Sequence, residues 1–128
     1  MTETLGAGIA LISIVGREFS QVDAVEETLT DVFAYAGPMR DQITEEGICR
    51  TLVLQISELT DGRAAQSALP LVPFDISDVG PSQARVRVIA AAPEDLRAVT
   101  AVISAGHSLV GEPAQGKDGS AVLVVSAG

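Results

Sequence analysis

From Gly8 to Val15 the chain is almost continuously apolar, with Ile9, Ala10, Leu11, Ile12, Ile14 and Val15 interrupted only by Ser13. A short, branched run of this kind predicts a buried central strand, and Gly16 ends it. The period then changes. Val22, Val25, Leu29, Val32, Phe33 and Ala36 recur at helical spacing, while Asp23, Glu26, Glu27, Thr30 and Asp31 take the other face. This predicts an amphipathic helix capped by Ser20, with Asp23 three residues on, its acids toward the positive end, and a stop at Gly37-Pro38. A polar strand over residues 39–45 and a turn at Glu46-Gly47 follow. Leu52, Leu54 and Ile56 then alternate with Thr51, Val53, Gln55 and Ser57, as in a strand with one buried face. Residues 60–69 predict a short helix ended by Pro70. Residues 71–76 predict an edge strand, because Pro73 would break a central ladder.

The second half repeats this grammar after a linker at residues 78–82. Val86, Val88 and Ala90 alternate with Arg85, Arg87 and Ile89. Pro93 then opens a helix with Glu94 and Asp95 behind it, a stripe of Leu96, Val99, Thr100 and Ile103, and a stop at Gly106. Residues 107–111 read as a short strand, 113–119 as a polar loop and 121–125 as a buried strand. Ala36-Gly37 and Ala105-Gly106 stop the two helices alike, so the halves read as an internal repeat. The expected class is α+β: a ferredoxin-like βαββαβ unit at 1–77, a linker at 78–83, and a related, incomplete βαββ unit at 84–128. Right-handed crossovers put the helices on one side of an antiparallel sheet.

Composition narrows the function classes. The chain has 128 residues, 47% of them apolar and only 3% aromatic, with no tryptophan. That is material enough for one core, without staples. Seventeen acids against eight bases give a net charge of −9, which repels a phosphate backbone and an anionic membrane alike. The lone Cys49 has no disulfide partner and the start Met1-Thr2-Glu3-Thr4 is not a basic leader, so the chain reads as cytoplasmic. No cofactor or metal motif is present. With one His and one Cys there is no metal-ligand spacing, and Gly6-Ala7-Gly8 precedes a strand instead of joining strand to helix.

The run Ile9 to Gly16, the helix closed by Ala36-Gly37, the strand Leu52-Val53-Leu54-Gln55-Ile56-Ser57 and the stretch Asp61-Gly62-Arg63-Ala64-Ala65 together resemble an ACT domain. The closest likeness is to the tandem ACT regulatory region of aspartokinases. The resemblance covers residues 8–76, and 84–126 in outline. It implies a regulatory module, not an enzyme, that dimerises or forms a larger homo-oligomer. Such a module binds an amino acid or related metabolite between paired domains. The implied ligand loop is Gly16, Arg17, Glu18, Phe19 and Ser20, and the implied strand edge is Met39, Arg40, Asp41 and Gln42. In that scheme Arg17 and the helix N-terminus meet a carboxylate, and Glu18 or Asp41 holds an ammonium. The family's Asp-x-Pro-Gly-like turn is replaced here by Arg17-Glu18-Phe19-Ser20-Gln21-Val22.

Two further readings stay open beside this one. A ligand-free assembly module would use the same scaffold, its incomplete second unit leaving a sheet edge in need of cover. A small enzyme would use His107 or Cys49, although His107 reads as a turn residue and Cys49 as a small hydrophobe. The sole lysine, Lys117, lies in a predicted hairpin loop. Arg85 and Arg87 share one strand face, either offsetting the acidic surface or forming a partner contact.

Overall fold

The computed structural model describes residues 8–37, 39–56, 76, 79–90, 92–115 and 120–127. In chain order the elements are β1 (Ile9–Gly16), α1 (Phe19–Thr30), β2 (Ala34–Tyr35), β3 (Arg40–Ile43) and β4 (Ile48–Gln55). The second half supplies β5 (Gln83–Ala90), α2 (Pro93–Gly106), β6 (Ala114–Gln115) and β7 (Ser120–Ser126). The fold is α+β. Its strands form one antiparallel sheet in the order β2-β4-β1-β5-β7-β6, with β3 beside β2 on the same flank of β4.

Strand alternation divides the side chains between two faces. Ala10, Ile12 and Ile14 of β1, Leu52 and Leu54 of β4, Val86 and Val88 of β5, and Leu123 and Val125 of β7 point to one face. They pack there against Val22, Val25 and Leu29 of α1 and Val99 and Ile103 of α2. This single core spans both halves, and both helices lie on that face. Val22, Val25 and Leu29, and Leu96, Val99 and Ile103, are stripe positions the helical period predicted, whereas Val32 of the expected α1 stripe lies past the helix end and is 61% exposed. The helices also touch each other closely: a Cβ on Gly106 would stand 2.6 Å from Thr28 Cγ2. Beside it the Thr28 hydroxyl is 2.8 Å from His107 Nε2.

The halves are related by a local two-fold. Ser13 and Arg87 are each the fifth residue of their strand, and they face each other across the β1–β5 ladder. The axis therefore passes between them. The third residue of each helix reaches across it. Gln21 donates through Nε2 to the Pro81 carbonyl at 2.7 Å, and Asp95 accepts from Gly8 N at 2.7 Å. Each helix thus fixes the chain where it enters the other half's first strand.

Several expectations change. Among the described residues the first half is βαβββ and the second βαββ, so the βαββαβ pattern is not seen, and both flanks of β1 are taken by β4 and β5. The predicted helix at 60–69 and most of the predicted strand at 71–76 lie outside the described residues. Ser20 does not cap α1. The helix begins at Phe19, and Gln21 Oε1 accepts from the Arg17 and Glu18 amides, a reciprocal cap that a longer amide side chain can reach. No acid lies in the first turn of α1.

The helix also stops at Thr30, short of Gly37-Pro38. Thr30, Asp31 and Val32 are weak helix formers. Phe33 drops into the core, and Ala34 and Tyr35 gain a ladder with Gln55 and Leu54. Residues 107–111 make only the isolated bridge Leu109–Val125, not a strand, because α2 holds His107 as its C-cap. Part of the predicted loop at 113–119 is instead β6, paired to Val122 and Ala121.

Candidate functional site

Position 50 breaks the pattern of β4. Ile48, Leu52 and Leu54 share its parity and are core residues, yet Arg50 stands among them with its side chain only 8% exposed. A buried guanidinium needs partners, and three carboxylates supply them. Asp41, directly opposite on β3, accepts from Nε at 2.7 Å and from Nη2 at 3.0 Å, a two-pronged pair. Asp23 and Glu26 of α1, three residues apart on one helix face, both accept from Nη1 at 2.6 Å.

The cluster joins helix to edge strand and ends in aromatic side chains. The exposed Phe19 ring lies over the guanidinium, 5.9 Å from ring centre to Cζ. Tyr35 donates its hydroxyl to Glu26 Oε2. The bond to the Glu26 carboxylate, followed by desolvation, pushes the Tyr35 phenol up to about 12. The Asp41 hydrogen bonds raise the Arg50 guanidinium further above its ordinary value, against the opposing effect of burial. Asp23 is 60% exposed, Asp41 26% and Glu26 14%, so the cluster opens to solvent on its acidic side. Among the described residues, no group of three or more His, Cys, Asp or Glu side chains is placed to hold a metal ion.

The loop named by the sequence takes a different role from its neighbours in the cluster. Arg17 donates from Nε to the Val79 carbonyl at 2.7 Å and from Nη2 to the Ile76 carbonyl at 3.3 Å. Together with Gln21 it binds the segment leading to β5, and the amides of Arg17 and Glu18 already serve Gln21. Gly16 is buried, and its carbonyl would be 2.5 Å from a Cβ on Gly47, which fixes glycine at that turn. Glu18, Phe19 and Ser20 are exposed, as are Met39 and Arg40, and Gln42 is half-buried. Of the nine expected site residues, Phe19 and Asp41 are the two that meet at Arg50. Sequence reading missed Asp23, Glu26, Tyr35 and Arg50 as site residues. A usable signal was Arg50 itself, a charge at a core position of an alternating strand.

The other two reactive candidates do not meet. Cys49 is half-buried on the sheet face away from the helices, beside Val15, Ile76 and Val79, and burial pushes its thiol up. His107 lies in the helix layer. Because the Thr28 hydroxyl donates to the Ala24 carbonyl at 3.0 Å, it accepts from His107 Nε2–H. Among the described residues, no helix is long and apolar enough to cross a membrane.

Compared with protein-family models, curated proteins and solved structures, the chain matches none. The local two-fold supplies an internal comparison instead. Arg50 pairs with Ile14, the sixth residue of β1; the sixth residue of β5, Val88, pairs with Ala121. Asp41 opposes Arg50 as Gln115 opposes Ala121. Asp23 and Glu26 are the fifth and eighth residues of α1, and Arg97 and Thr100 hold those places in α2. The second half therefore builds the same strands and helix with Ala121, Gln115, Arg97 and Thr100, and with no buried charge at this place.

Proposed function

We propose that this chain is a regulatory module that binds a small metabolite, an amino acid or a related compound, and works as a homodimer. One observation carries the reading: the Arg50 cluster is present in one half and absent from the corresponding place in the other. Ion pairs taken out of water stabilise weakly, because desolvation offsets most of their attraction. A βαββ half that folds around Ala121 has no structural need of four charges at the matching place. One guanidinium among three carboxylates leaves a formal charge of −2, which favours an ammonium group between Asp23 and Asp41. Phe19 offers an apolar face for the rest of the ligand. Phe19 and Asp41 belong to the two segments in which the ACT resemblance seats its ligand. Arg17 is engaged with carbonyls, so the ligand's carboxylate has to be met elsewhere.

The edge formed by β2 and β3 supports the dimer. Tyr35, Met39 and Ile43 are large, apolar and 47–63% exposed along it, next to the cluster. An edge strand with unpaired backbone groups and apolar side chains is a template for another chain. Differential scanning fluorimetry with a panel of amino acids and amines tests the binding. A ligand at a hundred times its Kd adds about 2.7 kcal/mol, and Asp41→Asn should abolish that gain. Absence of stabilisation by every compound at millimolar concentration overturns the reading.

A second reading, a ligand-free assembly module, is favoured by the same exposed edge. Under it Ile43→Lys removes self-association while no small compound binds. A strict monomer at high micromolar concentration, read by light scattering, rules it out.

A further inference from the structure

Two residues at the Arg50 cluster are also members of the sheet edge. Ala36 N donates to the Val53 carbonyl at 2.8 Å, so these two form a hydrogen-bonded pair at the end of the β2–β4 ladder. Tyr35, one place earlier, therefore turns its N–H and C=O away from β4. Thr44 N donates to the Gly47 carbonyl at 2.9 Å and sets the phase of β3 in the same way. There the outward-turned backbones are those of Asp41 and Ile43. Asp41 is exposed as a residue although its side chain is only 26% exposed, so its backbone supplies the open surface. The side chains of Tyr35, Asp41 and Ile43 stand on the helix face, opposite Leu54, Arg50 and Ile48.

A strand that adds to this edge therefore lies against the cluster. One guanidinium among three carboxylates leaves a formal charge of −2 there. Exposed Glu45 and Glu46, in the turn between β3 and β4, add to the same sign. Arg40, the base of β3, stands on the other sheet face and holds another interaction. Tyr35, Met39 and Ile43 offer a second copy apolar surface, but pairing β3 with β3 brings both clusters together across the dimer axis. The two β3 backbones would then lie about 4.8 Å apart, and like charges that close oppose the pairing.

We propose that the charge of the Arg50 cluster gates self-association at the β2–β3 edge. Free copies repel each other there, and an ammonium group bound between Asp23 and Asp41 halves the charge and lets the edges pair. The gate rests on the ligand reading above and assigns its regulation. Linkage makes the effect reciprocal: a bound compound tightens the dimer by the same factor by which the dimer tightens the compound.

Two measurements on the full chain test it together. Scanning fluorimetry with each amino acid and amine shows which compounds bind, and sedimentation equilibrium with and without each gives the dimer constant. Every compound that stabilises the chain should tighten the dimer about fivefold or more. Without any compound, raising salt from about 0.02 M to about 0.5 M should also tighten it, because the repulsion is screened. Asp41→Asn should pair more tightly than the parent at low salt and gain nothing from any compound. A compound that binds and leaves the dimer constant unchanged overturns the gate while the ligand reading stands. So does a dimer that salt weakens, or an Asp41→Asn chain that pairs no more tightly than the parent. Binding by no compound removes the ligand reading, and the gate falls with it.

Discussion

The two halves of this protein solve one packing problem with different chemistry. Val22, Val25 and Leu29 of α1 stand where Leu96, Val99 and Ile103 stand in α2, and the strands beneath them correspond place by place. The frames part at one point. Arg50 draws Asp23, Glu26 and Asp41 together in the first half, and Ala121 leaves the matching place plain in the second. The lesson is about inference from burial. A buried arginine in a single domain reads as a structural pin, whereas here the corresponding half is built with Ala121 at that place.

The largest expected effect comes from moving the charge to the wrong half. Ala121 is 2% exposed, and the places that correspond to Asp41, Asp23 and Glu26 hold Gln115, Arg97 and Thr100, which offer no carboxylate. Ala121→Arg should cost roughly 4 kcal/mol or more, or prevent folding, since it buries an unpaired charge and overfills the core. Urea unfolding followed by circular dichroism reads it.

Next comes removal of the charge from the right half. Arg50→Leu strands three carboxylates around an apolar side chain and should cost about 2–4 kcal/mol, less than a fully buried pair because Asp23 is largely exposed. Giving the first half the second half's residues, Arg50→Ala with Asp41→Gln, Asp23→Arg and Glu26→Thr, should return stability to within about 1.5 kcal/mol of the parent. A quadruple variant less stable than Arg50→Leu would make the cluster a structural necessity and sink the comparison.

The smallest effect is spectroscopic. Tyr35 is the only tyrosine and there is no tryptophan, so alkaline absorbance titration reports one phenol. Its midpoint should lie near 12, and Glu26→Gln should return it toward 10. The sign follows from linkage: a phenol whose folded value is raised binds its proton more tightly when folded. Its contribution is complete below pH 10 and is lost as pH rises through about 12.

Much of the frame was legible from periodicity. The apolar run of β1, the alternation of β4 and β5, and the stripes of both helices reported burial directly, because burial is what hydrophobic spacing encodes. The repeat was legible too, through the order of strands and helix, although the matching Ala-Gly stops were not its cause, since α1 ends at Thr30. Lengths were less so. Phe33 and Ala36 continue the α1 stripe in sequence, but Phe33 takes its core place after the helix has ended, and Tyr35 goes to the β4 ladder. Propensity alone does not decide between a last helical turn and a new ladder.

The candidate site was half legible. Phe19 and Asp41 stood in segments singled out beforehand, whereas Asp23 and Glu26 read as ordinary solvated helix surface. Only the partner across the fold, Arg50, makes them a cluster, and a pairing between residues so far apart in sequence leaves no periodic trace.

The central claim is that the first half holds a ligand where the second holds only packing. Amide chemical-shift mapping of the full chain, titrated with amino acids and amines, tests it most directly. Binding at the Arg50 cluster should give shifts gathered at Phe19, Asp23, Glu26, Asp41 and Arg50 that disappear in Asp41→Asn, with Arg97, Thr100, Gln115 and Ala121 unmoved. Shifts centred on that second set, or none anywhere at millimolar ligand, would contradict it.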